Sequence, residues 1–253
     1  MKPGRIQLCG RFVVELDGRR VERELPRQGR LLVAHLLLER GRPQARGRLA
    51  DALWGERPPA SASDALTALV SKVRGALGTE ILQGRSELEL RLPPETVVDV
   101  EQAETAVHAA ESACALEDWP RAWSASLTAQ CVASRPFLIE HDGPDWVDER
   151  RRELADVLAR GLECYTSACL GLGGAELASA ERAARRLVRL APLRESGHVL
   201  LMDALAARGN TAEALAAYER LRELLRDELG VPPCAEAQER HRALLAGIPA
   251  ASS

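Results

Sequence analysis

Aromatic residues are only 3% of this 253-residue chain, lysine occurs only at Lys2 and Lys72, and the six cysteines form no CxxC pair. Each shortage excludes something. With few aromatics, the cores must be built from Ala, Leu and Val, which the 46% hydrophobic content supplies. With few lysines, almost every cation is an arginine. Cys9, Cys114, Cys131, Cys164, Cys169 and Cys234 are too scattered for a zinc or thiol-redox motif, and read as reduced, small core residues. No apolar run approaches the roughly 20 residues of a membrane helix, so no membrane partner is expected. No apolar stretch follows Met1-Lys2-Pro3-Gly4-Arg5, so a signal peptide is not expected and the reading is cytoplasmic.

Catalytic motifs are missing as well. Gly171-Leu172-Gly173-Gly174 lacks the Gly-Lys-Ser/Thr that completes a phosphate cradle. No Ser or Cys stands in a nucleophile elbow. Glu140, His141, Asp142 and Asp145 cluster, but without metal-ligand spacing, and Gly143-Pro144-Asp145 is ordinary turn chemistry. No enzyme activity, metal or cofactor is expected.

What the chain does have is charge in two blocks. Residues 1–98 hold 17 Lys/Arg against 12 Asp/Glu, a net of +5, and residues 99–253 hold 17 against 25, a net of −8. The break falls at Pro93-Pro94. A basic module joined to an acidic one predicts that one half meets a polyanion and the other does not. Two domains are expected, 1–94 and 99–246, with residues 247–253 as a tail.

In the basic half, Ile6, Leu8, Phe12, Val14 and Leu16 alternate as in one half-buried strand. Asp17-Gly18 marks a hairpin turn, and Val21 and Leu25 begin a return strand. Residues 28–38 read as an apolar helix containing a packed His35, and residues 45–53 as a second. A third, 63–77, opens on a Ser61-x-x-Asp64 capping box. Its stripe of Leu66, Leu69, Val70, Val73 and Leu77 is set for burial. Residues 81–82 and 88–92 then form a hairpin around Gly84-Arg85-Ser86. Strand, strand, three helices, hairpin is the element order of a winged helix, whose third helix fits a DNA major groove. Thr67, Ala68 and Ser71 are short enough for close approach to base edges. Lys72 and Arg74 can reach a guanine or a phosphate. Arg46 and Arg48 are placed to grip phosphates, and Arg85 at the hairpin tip to reach a minor groove or phosphate.

The acidic half reads as helices over 100–116, 119–132 and 147–170, with an irregular stretch between the last two. Ala180, Ala184 and Leu187 are followed 34 residues later by Ala214, Tyr218 and Leu221. That period is the one of tetratricopeptide repeats. Residues 212–229 make a long helix ended by Pro232-Pro233, and residues 235–245 can cap the stack. The expected fold is therefore mainly α: an N-terminal α+β winged helix followed by an all-α tetratricopeptide-like helical repeat domain.

Residues 46–55 and 65–77, within 27–92, resemble the OmpR/PhoB-type winged helix. Residues 136–138 through 146–147, with 212–222 leading to 228–232, resemble the bacterial transcriptional activator domain over 99–246. The two in this order resemble the SARP-type regulators, antibiotic regulatory proteins of actinomycetes. The resemblance implies a transcriptional activator that binds direct repeats of double-stranded DNA near a promoter, side by side, and recruits RNA polymerase. It places Thr67, Ser71 and Lys72 at base contacts and Arg74 at a phosphate, and matches Arg46 to the usual Arg opening the second helix. The acidic module is then expected to mediate self-association, as a homodimer, or contact with another protein. Three departures stand out. Ala45 replaces a hydroxyl cap. Gly75 sits inside the recognition helix, at a cost of about 1 kcal/mol relative to Ala. The wing reads Ser86-Glu87-Leu88-Glu89, whose acids repel phosphate. Weak or cooperative DNA binding follows as an expectation. The alternative is a protein-interaction scaffold whose winged helix no longer binds DNA.

Overall fold

The computed structural model describes residues 4–141 and 144–247. They fall into two compact units, one drawn from residues 1–102 and 135–154, the other from 103–134 and 155–253. The architecture is mainly α, with small sheets confined to the N-terminal part.

The first unit runs β1(Arg5–Gln7), β2(Val13–Leu16), β3(Arg19–Arg20), α1(Arg27–Leu38), β4(Gln44–Ala45), α2(Arg46–Trp54), α3(Ala62–Leu77), β5(Leu82–Gln83), β6(Glu87–Leu90) and β7(Val97–Val98). The alternating run expected as one strand is two. Gly10 turns the chain at φ +80°, and β1 and β2 pair antiparallel with Ile6 opposite Val14. The period of two survives because both strands face one core, where Ile6, Leu8, Phe12 and Val14 are all buried. The return strand expected at Val21 is the two-residue β3 just before it; Val21 and Leu25 are buried in the turns that follow. β7 adds to β1 in parallel, giving the order β3-β2-β1-β7.

The second sheet, β4-β6-β5, is antiparallel throughout and contains the β5–β6 hairpin, the wing. α1 packs on α2, α3 and β6. The shared core is Leu32, Leu36, Leu49, Leu66, Val73 and Leu88, each at most 1% exposed. Burying a side chain of this size stabilises the fold by about 1.5–3 kcal/mol. The expected capping box does not close. Ser61 makes no cap hydrogen bond to the backbone, and its hydroxyl donates to the Asp64 carboxylate at 2.5 Å.

Contacts of this unit continue past Pro93-Pro94. Asp99, which opens α4(Asp99–Ala115), is only 6% exposed and accepts the Leu8 and Cys9 backbone N–H groups at 2.9 Å each. Burial pushes this carboxyl above its usual range, and the two N–H donors and Arg135 act against that. Residues 135–138 lie along the end of β1. Gly10 N–H donates to the Pro136 carbonyl at 2.8 Å, Leu138 N–H to the Leu8 carbonyl at 2.9 Å, and Phe137 is buried. Further on, the Trp146 indole N–H donates to the Ala52 carbonyl at the end of α2, at 2.9 Å.

The second unit is helical. It contains most of α4, then α5(Trp119–Ala133), most of α6(Asp145–Leu172), α7(Leu177–Leu190), α8(Glu195–Ala207), α9(Thr211–Leu229) and α10(Ala235–Ala246). α8 packs against both α7 and α9, and α10 closes on α8 and α9. The 34-residue repeat is the register of this packing. Ala180, Ala184 and Leu187 of α7 and Ala214, Tyr218 and Leu221 of α9 are all buried. α7 and α8 approach so closely that a Cβ on Gly197 would lie 2.9 Å from the Leu187 side chain. Gly230, in the left-handed conformation, ends α9 before Pro232-Pro233.

Candidate nucleic-acid interface

α3 has two faces because its apolar residues recur at helical spacing. Leu66, Leu69, Val70, Val73, Ala76 and Leu77 are buried against α1 and α2. Thr67, Ala68, Ser71, Lys72 and Gly75 are exposed on the other side. The sequence reading singled out this set, and the structure brings it to one surface. A Cβ on Gly75 would meet no atom within 4 Å, so the residue leaves α3 open to solvent at that point. Beside it, Arg46, Thr67, Ser71, Arg74, Gly75 and Thr79 line a groove of about 420 Å³.

The cations of this surface divide into two groups. Lys72, Arg48 and Arg85 are exposed, and their side chains make no hydrogen bond or ion pair among the described residues. Arg46 and Arg74 are instead built into the scaffold. Arg46 donates to the Thr67 hydroxyl at 2.6 Å and to the Arg85 carbonyl at 3.4 Å. The Thr67 hydroxyl in turn donates a hydrogen bond to the Ser63 carbonyl at 2.8 Å. Arg46 thus joins α2, α3 and the wing tip. Arg74 donates through Nε to the Leu82 carbonyl at 3.1 Å and through Nη2 to the Gly84 carbonyl. It fastens β5 to α3. A guanidinium carries five N–H donors, so each arginine keeps donors for an outside acceptor.

Sequence reasoning placed Arg74 on the reading face and missed this second use. No local pattern signals it, because the contact forms only when the β5–β6 hairpin folds back onto α3. Gly84 has φ +94°, and a Cβ there would lie 1.8 Å from the Glu87 carbonyl oxygen. The tip therefore needs glycine, and its exposed carbonyl is what Arg74 binds. The two acids of the wing are unequal as well. Glu87 is exposed, while Glu89 is half-buried and paired with Arg91 at 3.3 Å.

His35 is half-buried with its ring edge-on to Trp146 at 5.1 Å, and burial pushes its pKa below the ordinary value. Of the acidic cluster set aside earlier, Asp142 lies outside the described residues. Among the described residues, no group of three or more His, Cys, Asp or Glu is arranged to hold a metal ion. Nor is any helix among them long and apolar enough to cross a membrane.

With this geometry in hand, three comparisons with known proteins are informative. The model of the bacterial transcriptional activator domain matches residues 98–245. The regulatory protein AfsR of Streptomyces coelicolor is 35% identical over 235 residues, covering 92% of this chain and 23% of the relative. The regulatory protein DnrI of Streptomyces peucetius is 28% identical over 258 residues, covering 96% of this chain and 93% of the relative. The chain thus spans less than a quarter of the length of the AfsR proteins it matches. Among solved structures, Mycobacterium tuberculosis EmbR, in complex with a low-affinity phosphopeptide, superposes with a TM-score of 0.86 at 23% identity. That match covers 99% of this chain and 67% of the other, and it speaks to the fold.

Proposed function

The chain belongs to the SARP-type transcriptional regulators, and on that premise we propose that it binds double-stranded DNA sequence-specifically and activates transcription. The observation that carries this is the outward face of α3. Thr67, Ser71 and Lys72 are exposed on a helix whose opposite side is buried, next to the exposed cations Arg48 and Arg85. Helix α3 enters the major groove. Thr67, Ser71 and Lys72 meet base edges. Arg48, Arg85 and the remaining donors of Arg46 and Arg74 meet phosphates. DNA reading belongs to the winged helix of residues 1–94. The helical module of residues 99–246 contacts a second copy or RNA polymerase at direct repeats near a promoter. The protein acts in the cytoplasm without enzymatic activity.

Selecting bound fragments from a random duplex pool tests the reading. Recovery of a directly repeated element, bound with strong salt dependence, supports it. Absence of salt-sensitive binding even to random duplex at low salt overturns it and leaves a protein-interaction scaffold. The exposed Glu87 at the wing is the feature that favours that second reading.

A further inference from the structure

The fold brings together two cysteines that stand 50 positions apart in the chain. Cys114 lies at the end of α4 and Cys164 in the later part of α6, both within the second unit. The Cys114 sulfur is 3.7 Å from the Cys164 carbonyl oxygen, and the Cys164 thiol donates a hydrogen bond to that same sulfur. One turn earlier on each helix, Arg160 holds Glu111 through two hydrogen bonds, at 2.6 and 2.7 Å. Residues one turn apart share a helix face, so the ion pair and the thiol pair are successive rungs between α4 and α6. The ion pair fixes the register that sets one sulfur against the other.

The two thiols are unequal. Cys114 is half-buried, while Cys164 is buried. The hydrogen bond from Cys164 holds the Cys114 thiol below its ordinary range, against burial and the Glu111 carboxylate. The same bond, together with burial, pushes the Cys164 thiol up. The thiolate is the nucleophilic form of cysteine, and partial exposure with a lowered pKa is the setting of a reactive one. The other thiols lack this combination. Burial pushes Cys9 up to about 12 and Cys169 up to about 11. The exposed Cys131 and the half-buried Cys234 have no second thiol bonded to them among the described residues.

We propose that Cys114 and Cys164 form a dithiol that hydrogen peroxide oxidises to a disulfide between α4 and α6. Cys114 reacts first. Its sulfur attacks one peroxide oxygen, the O–O bond breaks, and the departing hydroxide takes the thiol proton to become water. The product is a sulfenic acid at Cys114. The Cys164 sulfur then attacks the Cys114 sulfur, the S–O bond breaks, and the second hydroxide leaves with the Cys164 proton. Two thiols and one peroxide give one disulfide and two waters; the sulfurs lose two electrons and the peroxide oxygens gain them. The bond adds a covalent rung beside Arg160 and Glu111. In a reducing compartment such a bond is transient, which suits a response to peroxide better than a permanent staple. The inference goes beyond DNA reading and does not rest on it.

Hydrogen peroxide added to the reduced full chain, followed by mass spectrometry and peptide mapping, tests the pair. The expected result is a loss of two hydrogens per chain, a Cys114–Cys164 crosslinked peptide, and full reversal by dithiothreitol. In Cys164→Ala, oxidation should stop at a Cys114 sulfenic acid that dimedone captures. In Cys114→Ala, Cys164 should stay a free thiol under the same treatment. If Cys164→Ala fails to fold, the wild-type map and Cys114→Ala decide. In denaturant, where α4 and α6 no longer hold the sulfurs together, the preference for this pair should vanish. Oxidation confined to Cys131 with Cys114 and Cys164 still reduced overturns the proposal. So does oxidation of Cys164 in folded Cys114→Ala, or the same crosslink preference in denaturant.

Discussion

Arginine is used in opposite ways in two regions of this molecule. Between residues 46 and 85, Arg46, Arg48, Arg57, Lys72, Arg74 and Arg85 meet no carboxylate among the described residues. Where they are bonded at all, it is to carbonyls or a hydroxyl. In the helical unit, Arg160, Arg185, Arg194, Arg208 and Arg240 each pair with an acid. Arg160 does so bidentately, holding Glu111 at 2.6 and 2.7 Å. Positive charge that is cancelled at home does nothing for an outside polyanion. Charge that rests on neutral carbonyls remains available to one. The contrast explains how one residue type serves as mortar in the repeats and as a contact surface on the winged helix.

The sharpest way to break this contrast is at the wing. Gly84→Ala places a methyl group against the Glu87 carbonyl at a positive φ. It should cost about 1–3 kcal/mol, read by chemical denaturation, and should weaken DNA binding with it; an unmoved midpoint would show that the tip is not held as described. Next come the two adjacent cations of α3. Lys72→Ala should weaken operator binding by about 1–3 kcal/mol and leave the denaturation midpoint alone. Arg74→Ala should lower both, since its bonds to Leu82 and Gly84 go too. Identical stability profiles for the two would erase the distinction between scaffold arginines and free cations.

Smaller effects sharpen it further. Arg48→Ala should reduce the slope of log affinity against log salt by about one, measured by titration at several salt concentrations, with no change in sequence preference. The smallest effect belongs to the repeats. Hydrogen bonding to Arg160 holds the Glu111 carboxyl below its ordinary value of 4.5. A depressed native pKa gives stability that is present above the ordinary value and lost as pH falls through the native one. Arg160→Gln should therefore cost about 0–1 kcal/mol near neutral pH, and the gap to wild type should close as the pH falls below the ordinary 4.5 and through the lowered native value. A gap that grows in acid would contradict the pairing.

Much of this was legible in the chain. Period 3.6 located α1, α3 and α9 to within a residue or two, because each has one buried stripe and a clear stop at Gly41, Gly78 or Pro232-Pro233. The exposed set on α3 followed from the same periodicity. What local pattern could not carry was anything made by distant residues. The alternation from Ile6 to Leu16 is the same whether the chain runs straight or folds back at Gly10. Arg74 looks like a surface cation until Gly84 is brought beneath it. Phe137 and Trp146 fall in the stretch that resembles the activator domain, but no spacing says that they fold onto β1 and α2.

The return of residues 135–154 to the first unit has a consequence for how such proteins can be recombined. A graft that splices at Pro93-Pro94 discards Asp99, Phe137 and Trp146, the groups that receive the amides of Leu8 and Cys9, cover the edge beside them and seal the end of α2. Chimeras between relatives should therefore exchange this later stretch together with the first hundred residues. The inheritable module is an interleaved one, and its borders cannot be cut with a single crossover.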